Sequence, residues 1–229
     1  MTLLLSTLVC GVGGMLLRLL MMVYGSDGSG MLIGAHVTVT ASWILAGIYL
    51  VVLVLGGQGL GSCRDYCLLF PKSAFCGGMG VLAGALLALH SLTQHGLVPM
   101  AAGVLTGGCM IFTGVCRIVG RRPAYGFHFG VCVYFIYRLI SNYRGWSADP
   151  QLQDYAFQML ACVALMLAGY YRAAADAGII RRRMLAFSCF AACFLCVVSL
   201  SDPQTPVYYG ACGLWALSSA GFLEPVYSA

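Results

Sequence analysis

The chain has 229 residues, of which 61% are hydrophobic and only 8% charged, with 12 Lys and Arg against 7 Asp and Glu. Soluble domains carry about 25% charged residues, so this composition excludes an ordinary water-soluble domain and makes the bilayer the natural solvent. The net charge of +5 sits between apolar segments, a pattern of topology signals that excludes a nucleic-acid-binding face.

Crossing a hydrocarbon core takes about 20 apolar residues. On that ruler eight spans are predicted, at residues 2–24, 31–55, 73–92, 98–119, 124–142, 150–173, 183–200 and 206–223. The first span is too long for a signal peptide and lacks a basic start and a small-residue cleavage site, so it reads as a membrane helix. Short connections leave no room for a soluble domain. The expected fold is one all-α, polytopic membrane helix bundle spanning residues 1–229.

Basic residues set the expected orientation. With the N-terminus cytoplasmic, the inner side carries Arg64, Lys72, Arg117, Arg121, Arg122, Arg172, Arg181, Arg182 and Arg183, and the outer side only Arg18, Arg138 and Arg144. Nine against three obeys the positive-inside rule, with both termini cytoplasmic.

Glycines are concentrated in the first span (Gly11, Gly13, Gly14), the third (Gly77, Gly78, Gly80, Gly84) and the fourth (Gly103, Gly107, Gly108). The Gly80/Gly84 and Gly103/Gly107 spacings let helix backbones approach closely in lipid. Tight packing of these three spans inside the bundle is the expectation.

The longest polar passage, Arg138 to Gln158, joins the fifth and sixth spans. Within it Asp149-Pro150 reads as a helix start, the carboxylate accepting from the first free N–H groups and the proline needing no donor. The helix that follows would place Gln151, Asp154 and Gln158 on one face. A similar Asp202-Pro203-Gln204 precedes the last span, with Tyr155 and Tyr208 at the same offset. The echo fits either a duplicated hairpin or the general suitability of Asp-Pro for helix starts.

Polar side chains within spans are costly unless satisfied, so they are the functional leads. Arg18 and His36 are placed roughly 8–9 Å below the outer end of their shared hairpin, with Asp27 in the turn above. Arg18 keeps its charge and needs water, an acid or an anionic ligand. The candidate ligand-binding set is Arg18, His36, Arg138, Asp154 and Gln158, for a small anionic or lipid-like molecule. The competing reading of Arg18 is snorkelling or pairing with Asp27 or Asp154, and Arg138 with Asp154 reads equally as a structural ion pair. Asp154 is the one acidic residue to which depth within a span is assigned. Tyr143, Trp146 and Tyr155 fit an interfacial aromatic belt.

Haem between helices needs axial histidines at matching depth. His36 and His90 meet that condition weakly, while His128 lies toward the inner side, and packed histidines are favoured. No metal centre is expected. Cys63 and Cys67 lack a second cluster, and Cys189, Cys193 and Cys196 are embedded among apolar residues where thiols act as small hydrophobes. The outer connections hold no cysteine, so no disulfide is expected there. Nucleophile-elbow, HExxH, P-loop and dinucleotide motifs are missing, and the single glutamate, Glu224, lies at the C-terminal end.

With Arg18, Asp27, His36 and the WSADPQLQDY passage, the chain resembles eight-span bacterial inner-membrane proteins to which no activity is assigned. That resemblance implies a fold and a location. In span count and small-residue-rich helices it is also similar to the membrane anchor subunits of the dimethyl sulfoxide reductase type. This second likeness implies a quinone as the cofactor-like ligand and a redox partner subunit. Three functions follow as expectations: small-molecule binding or transport through the outer-leaflet pocket, a quinone-interacting anchor with Arg18 and His36 at the head group, and a lipid enzyme using His36 or His90 with Asp154. Binding or transport is preferred, without catalysis by the chain on its own.

Overall fold

A computed structural model describes residues 2–24, 37–60, 66–94, 96–146, 155–202 and 205–220. Its helices are α1 (Thr2–Tyr24), α2 (Val37–Gln58), α3 (Tyr66–Leu69), α4 (Ala74–Leu92), α5 (Leu97–Val119), α6 (Tyr125–Trp146), α7 (Ala156–Asp176), α8 (Arg182–Ser199) and α9 (Pro206–Ala220). Among the described residues there is no strand. The all-α bundle expected from sequence is present, with eight long helices and the short α3.

Six of the long helices, α1, α2, α4, α5, α7 and α8, are long and apolar enough to cross a membrane. The chain is a multi-pass membrane protein. Helix α6 is long enough, but Arg138, Asn142 and Arg144 interrupt its apolar sequence, and α9 is described over 15 residues. Both are held by packing rather than by apolarity alone.

Successive long helices run up and down, which gives the bundle two chemically distinct ends. The basic end gathers Arg117 near the end of α5, His128 near the start of α6, Arg172 and Asp176 at the end of α7, and Arg182 at the start of α8. The opposite end gathers Arg18, His90, Arg138, Phe157, Asp202 and Tyr208.

Burial is centred on α7, α8 and α9. In α8, 67% of the membrane-length window is buried, against 22% in α1. Small side chains permit this: Ala161, Ala168, Ala186, Cys189, Ala192, Cys196, Ala211, Cys212 and Ala216 are almost wholly enclosed. The cysteines behave as the small hydrophobes expected, and every described cysteine is a free thiol. Aromatic residues Phe135, Tyr208, Tyr209 and Trp215 fill the larger spaces around α9. By contrast, α1 and α2 present Leu5, Val9, Leu16, Ile44, Ile48 and Leu55 outward, as a lipid-facing surface does.

The glycine expectation is met for the α4–α5 pair and corrected for α1. A Cβ added at Gly84 would stand 2.5 Å from the Gly107 carbonyl oxygen, and one at Gly107 would stand 2.6 Å from that of Gly84. Gly77 and Gly114 repeat the arrangement one heptad away, at 2.7 and 2.8 Å. The close contact therefore follows a seven-residue spacing on both helices, to which Gly80 adds a site and the expected GxxxG pairs contribute only in part. Helix α1 is peripheral. Its Gly11 and Gly14 admit Val197 and Val198 of α8, and its Thr7 hydroxyl meets the Tyr49 hydroxyl of α2 at 2.8 Å. Tyr49 in turn donates to the Phe190 carbonyl of α8 at 3.2 Å, fastening both outer helices to the centre.

Helix boundaries follow local chemistry where the chain is described. Ser73 caps α4, its hydroxyl accepting from the Cys76 N–H at 3.3 Å. Gly120 ends α5 in the left-handed conformation at φ 81°, which a residue without Cβ adopts freely. The Asp149-Pro150 helix start lies outside the described residues, and the described α7 begins at Ala156.

The α4–α5 interface yields a matched pair of substitutions. Gly107→Ala should lower stability by about 1–3 kcal/mol, because a backbone carbonyl cannot step aside. Gly108→Ala, with nothing within 4 Å of its added Cβ, should be neutral or gain up to about 1 kcal/mol from helix propensity. Melting temperatures of both variants in one detergent check this; equal losses would contradict the interface.

Candidate functional site

At the basic end two guanidinium groups converge on one aromatic ring. Arg117 and Arg172 are only 8% and 3% exposed. The Arg172 guanidinium carbon lies 3.3 Å from the Phe70 ring centroid and that of Arg117 lies 5.5 Å from it. Phe70 is brought there by α3, whose connection between α2 and α4 folds inward. Its Leu69 and Phe70 are buried, and the Phe70 N–H donates to the Tyr66 carbonyl at 2.8 Å.

One buried carboxylate accompanies the pair among the described residues. Asp176 closes α7 and is 5% exposed. Its Oδ2 is 2.5 Å from Nδ1 of His128, itself 2% exposed. Tyr66 donates to Asp176 Oδ1 at 3.0 Å and accepts from Arg172 Nη2 at 3.4 Å. Burial pushes the Tyr66 phenol up to about 12, against the opposing pull of Arg172, so Tyr66 stays a proton donor at neutral pH. The guanidinium of Arg122 covers its ring at 5.0 Å from the centroid.

Several of these cations close helix C-termini, where unsatisfied carbonyls carry partial negative charge. Arg117 donates to the Ser218 carbonyl near the end of α9. Arg122 donates to Ala175 of α7 at 3.3 Å, and Arg183 to Leu60 beyond α2 at 3.0 Å. These bonds leave donors over: Nε of Arg117, and Nε and Nη1 of Arg172, are buried without a protein hydrogen-bond partner. Each such group costs on the order of 1–3 kcal/mol unless an acceptor meets it. Forked N–H groups in a low-dielectric setting are suited to a carboxylate or another oxyanion.

The opposite end holds the residues singled out from sequence. Arg18 is 2% exposed, with its guanidinium carbon 5.5 Å from the Phe157 centroid; Trp43 stacks on the same ring at 4.8 Å. Gln158, also buried, donates from Nε2 to Asp202 Oδ2 at 2.8 Å, and Thr205 donates to the same oxygen at 3.0 Å. Arg138 lies over Tyr208 at 5.0 Å and reaches the Gln94 carbonyl oxygen at 3.5 Å. Gln94 Nε2 is in turn 3.2 Å from His90 Nε2. Arg18 and Gln158 are thus neighbours through Phe157, while Arg138 rests on a different ring. His36, Asp154, Asp27 and Cys63 lie outside the described residues.

One expectation needs correction. Depth within a span was assigned to Asp154 alone, yet Asp176 is buried and paired. The basic residues 117 and 172 had been read only as topology signals. Arg172 and Asp176, four apart on a helix, form a visible i, i+4 pair of opposite charge, a signal that could have drawn attention to this end. Nothing local links them to His128 or Arg117.

No protein-family model, curated protein or solved structure matches the chain. The likenesses to eight-span inner-membrane proteins and to redox anchor subunits therefore stay at the level of general pattern.

Tyr66→Phe isolates the keystone bond of the cluster. Losing the hydroxyl leaves Asp176 Oδ1 and Arg172 Nη2 without it, and stability should fall by about 1–3 kcal/mol. Chemical denaturation in detergent measures the change; an unaltered midpoint would show that the hydroxyl is dispensable.

Proposed function

We propose that this protein binds, and in the cell transports, a small oxyanion, with Arg117 and Arg172 as its principal site. The observation that carries the reading is the set of buried guanidinium donors without protein acceptors around Phe70. Two guanidiniums against one carboxylate leave an excess positive charge that a negatively charged ligand neutralises. Arg18, Arg138 and Gln158 at the opposite end form the second polar station, part of the outer-leaflet pocket expected from sequence. Cation stations at both ends suit a carrier of negative charge better than a one-sided receptor.

By the positive-inside rule the basic end faces the cytoplasm, with both termini on that side. The composition and pattern fit a bacterial inner membrane.

The test is mass spectrometry of small molecules released from detergent-purified protein, with Arg172→Gln and Arg18→Ala prepared in parallel. A carboxylate, phosphate or similar anion should accompany the native protein and be lost from Arg172→Gln. Rebinding of the recovered anion should weaken by roughly 10–100-fold in that variant, the worth of a hydrogen bond to a charged group. Loss confined to Arg18→Ala would move the site to the opposite end. A recovered quinone would favour the redox-anchor alternative, and bulk phospholipid alone in every sample would make both clusters structural.

A further inference from the structure

We infer that the Arg117–Arg172 site takes a singly charged oxyanion as it stands, and a doubly charged one only together with a proton held on the His128–Asp176 pair. The inference rests on the anion-binding reading above and specifies its ligand class and coupling.

The argument is charge counting in a place where uncompensated charge is expensive. Around Phe70, Arg117 and Arg172 contribute two positive charges and Asp176 one negative, with His128 neutral, leaving one positive charge; Arg122 is exposed, and water screens its charge. A monoanion brings the sum to zero. A dianion overshoots by one and is balanced only if a proton enters with it.

His128 is built to receive that proton. Its Nδ1 is 2.5 Å from Asp176 Oδ2, so a proton taken from bulk water onto the imidazole makes a charge-assisted bond to a carboxylate already in place. The carboxylate keeps its second acceptor bond, from Tyr66 to Oδ1. No other described neighbour can play the part near neutral pH. Facing the pair and the arginines are Tyr66 of α3, Cys76 of α4, Cys116 and Arg117 of α5, Arg122 of the α5–α6 connection, Arg172 of α7 and Cys189 of α8. Helix α9 offers only the Trp215 ring, 6.4 Å from the imidazole, and the Ser218 carbonyl. Arginines stay charged throughout, and phenols and thiols ordinarily titrate above about 8. Of these side chains, histidine is the one whose ordinary titration range lies nearest neutral pH.

Sulfate and nitrate separate the cases, because neither anion titrates in that range. Calorimetry on the full chain in detergent, in two buffers of different ionisation enthalpy, reads proton uptake directly. Sulfate should bind with uptake of one proton, its affinity falling about tenfold per pH unit as pH rises above the titration of the pair. Nitrate should bind without proton uptake and with a flat profile. Asp176→Asn raises the site to two positive charges, so this variant should bind sulfate without a proton and without the pH slope. Sulfate binding to the native protein with no proton uptake overturns the inference while leaving the anion site standing. Equal slopes for nitrate and sulfate do the same, and should Asp176→Asn fail to fold, the native measurements decide alone. Binding of neither anion at any pH removes the anion-site reading and this inference together.

Discussion

The basic end of the bundle depends on how two buried guanidiniums are kept stable beside each other. Like charges repel, and removing each from water is costly. Three compensations are visible. Phe70 lies flat against Arg172 and close to Arg117, offering its electron-rich face. Asp176 supplies a negative charge fixed by His128 and Tyr66. The C-terminus of α9 supplies a carbonyl to Arg117. Each comes from a different element, so the cluster ties α3, α5, α6, α7 and α9 together. The inward fold of the α2–α4 connection is part of the same solution, since it delivers both Tyr66 and Phe70.

This end also helps to hold α9, described over 15 residues, within the bundle. Its described turns reach about 22 Å, against a hydrocarbon core of about 30 Å. Its neighbours remove the difficulty. Tyr208, Tyr209, Ala211, Cys212, Trp215 and Ala216 are enclosed by protein, and Arg117 donates to the Ser218 carbonyl. Polar backbone at membrane depth is tolerated where protein surrounds it. The small residues of α8 and α9, with Gly213 close against Cys196, allow the tight approach behind this enclosure.

Much of the architecture was readable from length and apolarity because those properties are local. The first span coincides with α1, and Ser73 and Pro206 mark helix starts where expected. Glycine spacing announced close contacts but not partners: only the fold reveals that Gly84 faces Gly107 while Gly14 faces Val198. The same limit explains why α1 was placed inside. Its glycines pack against α8 and α2 at the edge of the bundle, and Leu5, Leu16 and Leu20 face outward. The arginine cluster was least legible. His128 and Asp176 are 48 residues apart and Arg117 and Ser218 are 101 apart, so no window of sequence contains the chemistry. Basic residues at helix ends are also expected for topology alone, and that sufficient explanation concealed a second role.

Buried guanidinium donors occur at both ends, and what surrounds them differs. At the end carrying Arg138, polar side chains serve one another: Gln94 engages both Arg138 and His90, while Asp202 accepts from Gln158 and Thr205. At the basic end two guanidiniums meet at one ring beside one carboxylate, and donors of both are buried. A purely topological role would be served by solvated arginines such as Arg121 and Arg122, which are exposed. Arg172 has no need of depth for that purpose. It lies four residues inside the end of α7, roughly 6 Å along the helix, beneath the side chains of α3. Burying it there, beside Arg117 and with one carboxylate among the described residues, is a cost that helix insertion does not require and that the proposed anion site would offset.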